Sequence, residues 1–383
     1  MFVTALQAKQ FRNYQSLAIE FSPTANLIVG QNAQGKTNIL EAILMLAVAK
    51  SHRTNKDQEM IRWGSEKATI SASINRSERR YKLELDVLKK GKRALINGVE
   101  KRKMSDFVGH LNIVLFAPED LTLVKGSPQI RRKFMDLEIA QMSPKYLYHL
   151  SQYQKVLQQR NSILKNGQQQ SIRSIQPILA VWDEQIIEHG IKVIRKRYEF
   201  IHKLQKYANQ IHQQISGGRE DLSLSYVSSI PIFLPDTTCK EEMNPLSAEQ
   251  MREVYINQLE QRMPQDLQRG STSIGPHRDD VQVSIHDKPV DIYGSQGQQR
   301  TAALSMKLAE IDLIKEEVGE YPILLLDDVL SELDEQRQQH LVKSMGEKVQ
   351  TFITATTTYG LEIFLKNHAE VFSVNSGIIT KEG

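Results

Sequence analysis

The sequence predicts an α/β fold: a largely parallel sheet drawn from both ends of the chain, interrupted by a long helical insertion. Three observations predict it. A short apolar run, Leu27 to Val29, passes through the glycine-containing stretch Gly30–Thr37 into apolar residues at helical spacing. A second unbroken apolar run, Ile323 to Leu326, ends in Asp327-Asp328 and suits a strand buried on both faces. Between them, apolar residues recur at helical spacing over most of the chain's middle.

Composition sets the outer bounds. With 383 residues, 40% hydrophobic and 25% charged, the chain can bury a core for one large or two ordinary domains. No apolar run approaches the roughly 18 residues of a membrane span, and the first residues do not read as a secretory signal. Cys239 is the single cysteine, which excludes an internal disulfide or a thiolate zinc cluster. A cytoplasmic protein is therefore expected. The net charge of +4 is compatible with a polyanionic partner, although clustering carries more information than the average.

Residues 1–115 read as strands around one helix. The stretch 69–103 alternates apolar and polar residues, with turns at 77–79 and 89–93, as antiparallel strands require. Gly30-Gln31-Asn32-Ala33-Gln34-Gly35-Lys36-Thr37-Asn38 is a G-x-x-x-x-G-K-T loop in its full strand–loop–helix context. Its backbone N–H groups can curl around phosphate oxygens, and the helix end adds partial positive charge. Lys36 would reach the β- and γ-phosphates of ATP, and the Thr37 hydroxyl would ligate Mg²⁺.

The middle reads as an αα-hairpin. Ser143 and Pro144 start one helix, Leu150, Leu157 and Leu164 recur every seven residues, and the stretch 165–171 breaks the pattern. A second run of apolar residues, from Ile175 to Ile211, returns. The helices are expected to be roughly 20 to 40 residues, an arm of about 30 to 60 Å lying partly on the head. Ser247 and Gln250 form a capping box for one more helix, with Leu246 against Met251 as staple.

At the C-terminal end of the buried strand, Asp327 is the natural holder of Mg²⁺ and Asp328 the residue to orient or deprotonate an attacking water. Upstream, Ser295, Gln296, Gly297 and Gln298 open a long amphipathic helix, with Ser295 as its N-cap. One molecule has no use for this second phosphate-facing end. Two copies facing each other do, each offering it to the γ-phosphate held by the other's Lys36. On these residues alone, a capped helix without ligand fits equally well.

Gly30–Thr37, "GSQGQQR" (294–300), "ILLLDD" (323–328) and "SELD" (331–334) occur in the order of the Walker A, signature, Walker B and D-loop elements of an ABC-type P-loop ATPase head. With "FRNYQSLAIEF" (11–21), "SHRT" (51–54), "LFAPEDLTLVKGSPQIRRKFMD" (115–136) and "GPHRDD" (275–280), the chain closely resembles the RecF family of bacterial recombination-repair proteins over nearly its whole length. The resemblance implies an ABC-type head from residues 1–115 and 275–383, with a helical arm, a short antiparallel coiled coil, inserted at 116–274. It implies an ATPase that dimerises with ATP and Mg²⁺ on double-stranded and gapped DNA, and that helps RecO and RecR load RecA. It also implies a nucleotide contact from Arg12, which equally reads as a surface arginine.

The sequence departs from such heads in three places. Asp328 stands where most carry Glu, one methylene longer, so hydrolysis is expected to be slow. Thr354–Thr357 stand where a strand usually ends in a γ-phosphate-sensing His. Glu119 and Asp120 lie where a water-orienting Gln is usual. In "GPHRDD", a structural turn bracing the signature helix through Arg278, Asp279 and Asp280 is favoured over a catalytic His277. Lys89, Lys90, Lys92 and Arg93, with Arg131 and Arg132, are the candidate DNA-backbone contacts. The clusters at 101–103 and 195–197 and Lys133 extend that footprint. An ATP-binding subunit of a membrane transporter shares the ATPase motifs and is the alternative; the arm, the absent His and the basic clusters count against it.

Overall fold

The computed structural model describes residues 1–231, 233, 245–334, 337–338, 341, 349–357 and 369–382, excepting the side chains of Leu121, Ser331 and Glu332. Cys239, the end of the 350–360 stretch and the side chains that begin the D-loop lie outside the described residues.

Alternating sequence becomes alternating burial in the N-terminal sheet. Strands β1 (Phe2–Phe11) and β2 (Tyr14–Glu20) form a hairpin. After β3 (Ala25–Val29) and α1 (Lys36–Val48) come β4 (Lys67–Arg76), β5 (Arg79–Leu88), β6 (Lys92–Ile96) and β7 (Val99–Glu100). The antiparallel order is β2-β1-β4-β5-β6-β7. On β4, Ala68, Ile70, Ala72 and Ile74 are buried on one face, the period of two that a half-solvated sheet demands. The turns at Ser77–Glu78 and Lys89–Gly91 fall where the sequence puts them.

The second sheet joins the two ends of the chain. It contains β3, β8 (Ile113–Phe116), β12 (Ile323–Asp327), β13 (Thr351–Ala355), β14 (Glu370–Asn375) and β15 (Ile378–Glu382) in the order β15-β14-β3-β13-β12-β8. All neighbours are parallel except the β14–β15 hairpin. N-terminal β3 thus lies between two C-terminal strands. β12 shows why its sequence is uninterrupted by polar residues: Ile323 and Leu325 face the core containing α1, while Leu324 and Leu326 face the core containing α8 (Gln296–Val318). Gln350 adds a tie by bonding both the N–H (2.7 Å) and the C=O (2.8 Å) of Val3.

The insertion contains α2 (Thr122–Lys125), α3 (Pro128–Met142), α4 (Pro144–Asn166), α5 (Ile172–Ser216), β9 (Leu222–Val227) and α6 (Ala248–Arg269). Ser143 caps α4 by accepting from the Tyr146 N–H, and the Ser247/Gln250 capping box closes the start of α6. α4 and α5 make the expected hairpin. At about 1.5 Å per residue, the 23 and 45 residues of these helices span roughly 35 and 68 Å. α5 exceeds expectation because its C-terminal half, with Phe200, Ile201, Leu204 and Ala208, continues along α8. The heptad seam also differs. Tyr153 and Val156 are buried with α5 and α6 as a three-helix packing, while Leu157 is only partly buried. β9 was not anticipated. It pairs with β10 (Asp280–Ile285), which also pairs with β11 (Lys288–Pro289), ahead of the single turn α7 (Val290–Tyr293).

Buried arginines bolt this insertion together. Arg160 on α4 is fully buried, with Nε 2.6 Å from Asp183 and Nη1 3.1 Å from Asp266 and 2.8 Å from Thr272. Truncating one partner leaves the other charges buried and unpaired. Arg160→Ala should cost about 3–5 kcal/mol in urea unfolding. The wild-type denaturation midpoint in that variant would show the ion pairs to be idle.

Candidate functional site

The loop after β3 is built to approach its surroundings closely. A Cβ on Gly30 would stand 2.4 Å from the Val374 carbonyl oxygen, and Gly35 has φ 118°, a left-handed value that side chains resist. Adjacent residues hold the loop's outer wall. The Tyr14 hydroxyl donates to the Gly35 carbonyl (3.0 Å), and Asn13 Nδ2 donates to that of Gln34 (2.9 Å). The N–H groups of Ser376 and Gly377 donate to Oε1 and O of Gln34 at 2.5 and 3.2 Å. Gln31, Asn32 and Ala33 stand at the exposed rim. Asn38 bridges Asn13 (2.7 Å) and Arg53 (2.9 Å).

Inside the loop, the Lys36 ammonium donates to the carbonyls of Gly30 (2.7 Å) and Gln31 (3.2 Å), and lies 3.9 Å from Asp328. Thr37 Oγ1 donates to Asp327 Oδ1 at 2.9 Å. Thr354, at the tip of neighbouring β13, donates to the same oxygen at 2.8 Å and accepts the Asp328 N–H at 2.9 Å. Asp328 is held at φ 50°, uncommon for any residue but glycine. Burial raises its carboxyl pKa, against the opposing pull of Lys36. A hydroxyl and a carboxylate in contact are the hard oxygen donors that Mg²⁺ prefers, so Thr37 and Asp327 fit that ion.

Ser295 caps α8 as expected. Its Oγ accepts the Gln298 N–H (3.2 Å), and Gln298 Oε1 accepts the Ser295 N–H (2.9 Å). Gln298 Nε2 also reaches Glu220 (2.9 Å), and Gln296 is exposed. Ser295, Gly297, Gln298 and Glu220 line, with Arg219, Thr301 and Arg337, a cavity of about 250 Å³ whose lining does not include the Lys36 loop.

Several candidates take other roles. Arg12 forms a fork on the buried Glu41 of α1 (2.8 and 2.6 Å) and bonds the Glu59 carbonyl (2.7 Å), so here it braces α1. Arg131 is buried on Asp280 through two bonds (2.7 and 2.8 Å), and Lys92 pairs with Asp57 (2.5 Å) and the Ala49 carbonyl (2.9 Å). Both are internal ties, which corrects their reading as surface contacts. Arg132 bonds the Asp279 carbonyl (2.6 Å). Buried Arg197, from the 195–197 cluster, holds Asp136 (2.7 Å) and the Pro276 carbonyl (2.6 Å). Lys89 and Arg93 are exposed with surface carboxylate partners, Glu66 and Glu100, and Lys90 is exposed.

The turn at 275–280 is structural, but it braces α3, α4 and β9 rather than the signature helix. Asp279 accepts from the Tyr226 hydroxyl and from both donors of Ser229. His277 sits between the Tyr153 hydroxyl (2.6 Å) and the Thr272 carbonyl (3.0 Å), and burial pushes its pKa down to about 4. Sequence reasoning gave no role to Asn13, Tyr14, Arg53 or Ser376, and treated Thr354 only as a missing histidine. Nor did it single out His52. That ring is close enough to Asp327 and Glu119 to feel their charge, and burial lowers its pKa. "FRNYQ" and "SHRT" carried the signal, since both flank the loop once folded.

Residues 2–380 match the RecF/RecN/SMC N terminal domain family. The chain is 49% identical over 382 residues to the DNA replication and repair protein RecF of Bacillus mycoides (strain KBAB4), covering 100% of this chain and 99% of the relative. RecF of Bacillus cereus (strain AH820) is likewise 49% identical with the same coverage. A solved structure described as the recombination mediator RecF-ATP in the RecFOR pathway superposes with a TM-score of 0.87 at 32% identity, covering 100% of this chain and 98% of that one. An Smc head bound to the C-winged helix domain of ScpA, at 15% identity and a TM-score of 0.53, shares the fold.

Gly30→Ala should abolish binding of a fluorescent ATP analogue while leaving the far-ultraviolet circular dichroism intact, because the added methyl must move the β3–loop junction. Unchanged affinity would show that the junction can yield. For His277, the fold disfavours the protonated ring. The unfolded chain takes up that proton near pH 6.5, so stability is full above that pH and falls as the pH drops towards 4. Between pH 6.5 and 5 the loss should be roughly 1.5 kcal/mol, and His277→Asn should flatten that slope in thermal unfolding.

Proposed function

The chain belongs to the RecF family of DNA replication and repair proteins, and from that membership and the loop geometry we propose an ATP-dependent DNA clamp acting at single-strand gaps. Residues 1–115 and 275–383 form the nucleotide-binding head, and 116–274 the arm. Lys36, bonded here to two carbonyls of its own loop, would exchange them for phosphate oxygens. The backbone of residues 30–38 cradles the phosphates. Thr37 and Asp327 hold Mg²⁺, which neutralises phosphate charge when bound. Asp328 orients the attacking water and accepts its proton. Its carboxylate is one methylene shorter than a glutamate's, and slow turnover follows.

The observation that carries the dimer is Gly297. A Cβ there would have its nearest neighbours at 3.6 Å (the end of Arg337) and 3.8 Å (Ser295 Oγ), and its φ is not positive. Nothing within the described part of the chain requires glycine at this position. A phosphate approaching from a second copy does. ATP therefore joins two heads, with Ser295 and the first N–H groups of α8 completing the pocket of the partner's Lys36. Lys89, Lys90 and Arg93 at the β5–β6 turn supply exposed positive charge for a DNA backbone. By family, RecO, RecR and RecA are the partners in that reaction. The transporter reading is not favoured, because the full-length relatives are DNA replication and repair proteins.

The test uses Lys36→Ala and Ser295→Arg, prepared separately. Each alone should lose nearly all ATPase activity. Mixed, they form heterodimers with one intact composite pocket, and a substantial part of the activity should return. ATP but not ADP should double the mass of the wild type in sedimentation. Absence of recovery, with mixing demonstrated by differently tagged copies, would overturn the shared pocket.

A further inference from the structure

We propose that Trp63 of one copy packs against Ile292 and Tyr293 of a second copy, making two symmetric apolar contacts beside the shared nucleotide pockets; this rests on the dimer reading above. Trp63 is 98% exposed, yet the turn that carries it is pinned. The Ser65 N–H donates to the Arg62 carbonyl (3.0 Å), Gly64 takes φ 83°, and Ser65 Oγ donates to Gln10 Oε1 (3.0 Å). The Arg62 N–H donates to the Gln10 carbonyl (2.8 Å). Arg62 Nη1 donates to the Asn13 carbonyl (3.1 Å), and Asn13 in turn holds Gln34 of the phosphate loop (2.9 Å). A rigid turn therefore presents the largest side chain in the protein to solvent, next to the Lys36 loop.

The complementary patch lies beside the other half-site. Ile292 and Tyr293 are 69% and 70% exposed on α7, separated from Ser295 by Gly294 alone. They too are held in place: Val290 is buried beneath them, and Gln299 Nε2 donates to the carbonyls of Val290 (3.3 Å) and Gly294 (3.0 Å). Phosphate chemistry explains neither patch. A second copy would, since Tyr293 lies two residues from Ser295 and the Trp63 turn is bonded through Arg62 and Asn13 to Gln34 of the Lys36 loop, so that a two-fold pairing of Ser295 with Lys36 sets both patches along one seam. Two tryptophans and two tyrosines at about 150–250 Å² each supply a large share of the roughly 1,200 Å² that a specific interface buries. Trp and Tyr are also the side chains that dominate interface energetics.

The test is Trp63→Ala, Tyr293→Ala and a cysteine pair. Each alanine variant should weaken ATP-dependent dimerisation at least about tenfold in sedimentation, and the two together, in one chain, should cost less than the sum. A fluorescent ATP analogue should bind the dilute monomeric variants as it binds the wild type. Copies carrying Trp63→Cys, mixed with copies carrying Tyr293→Cys, should form an intermolecular disulfide on oxidation with ATP and not with ADP. Dimerisation by ATP without the disulfide and without effect of either alanine would overturn this contact and leave the composite pocket standing. No dimerisation by ATP in the wild type would overturn both. Loss of monomeric nucleotide affinity in Trp63→Ala would place the indole on the base instead. Weakened binding of gapped duplex with normal dimerisation would make it a DNA contact; either result overturns the proposal.

Discussion

One carboxylate oxygen holds the two ends of this molecule in register. Oδ1 of Asp327, at the tip of β12, receives the Thr37 hydroxyl from the start of α1 and the Thr354 hydroxyl from the tip of β13. Thr37 follows β3, which could not stand between β14 and β13 unless both chain ends had folded onto each other. A carboxylate largely removed from water needs such donors, and these two come from segments far apart in sequence. The phosphate loop, the metal-fitting pair and Asp328 are therefore held by one shared set of bonds.

A second constraint is the treatment of charge at the base of the arm. Arg131, Arg160 and Arg197 are buried, and each makes several bonds to carboxylates, hydroxyls or carbonyls. Burying a guanidinium is tolerable when most of its planar donors are matched in this way, and of Arg160 only Nη2 is left without a partner. These bonds tie α3, α4 and α5 to the 272–280 turn. The helical insertion is thus fastened to the segment that leads into β10 by directional polar contacts. Apolar packing of α5 on α8 then carries the length of the arm across the helix that begins at Ser295.

That helix is also tied to the segment after β8. Lys307 on α8 is buried and lies 2.8 Å from Glu310 and 3.7 Å from Glu138 of α3. Burial, with the charge of Asp120, pushes the Glu138 pKa up to about 7, and burial beside Glu138 raises Glu310 as well, against the opposing pull of Lys307. Asp120, where a water-orienting glutamine is usual, feels the same lysine and turns its carboxylate back onto the Ala117 N–H (2.8 Å). Lys307 thereby links α8 electrostatically to Asp120.

By itself the sequence determined the local pieces: the loop at Gly30–Thr37, the buried strand ending in Asp327-Asp328, the capped start of α8 and the α4–α5 hairpin. Each is written in short-range spacing, because backbone geometry, capping and face periodicity act within a few residues. Only the tertiary structure decided which charged side chains are free. Arg131, Lys92 and Arg197 look like surface cations in sequence, and each is an internal tie. Arg12 belongs to Glu41, and Thr354 became the clamp on both aspartates. Such roles depend on partners up to about 150 residues away for Arg131 and Asp280, and no local pattern encodes where a carboxylate so distant will come to rest.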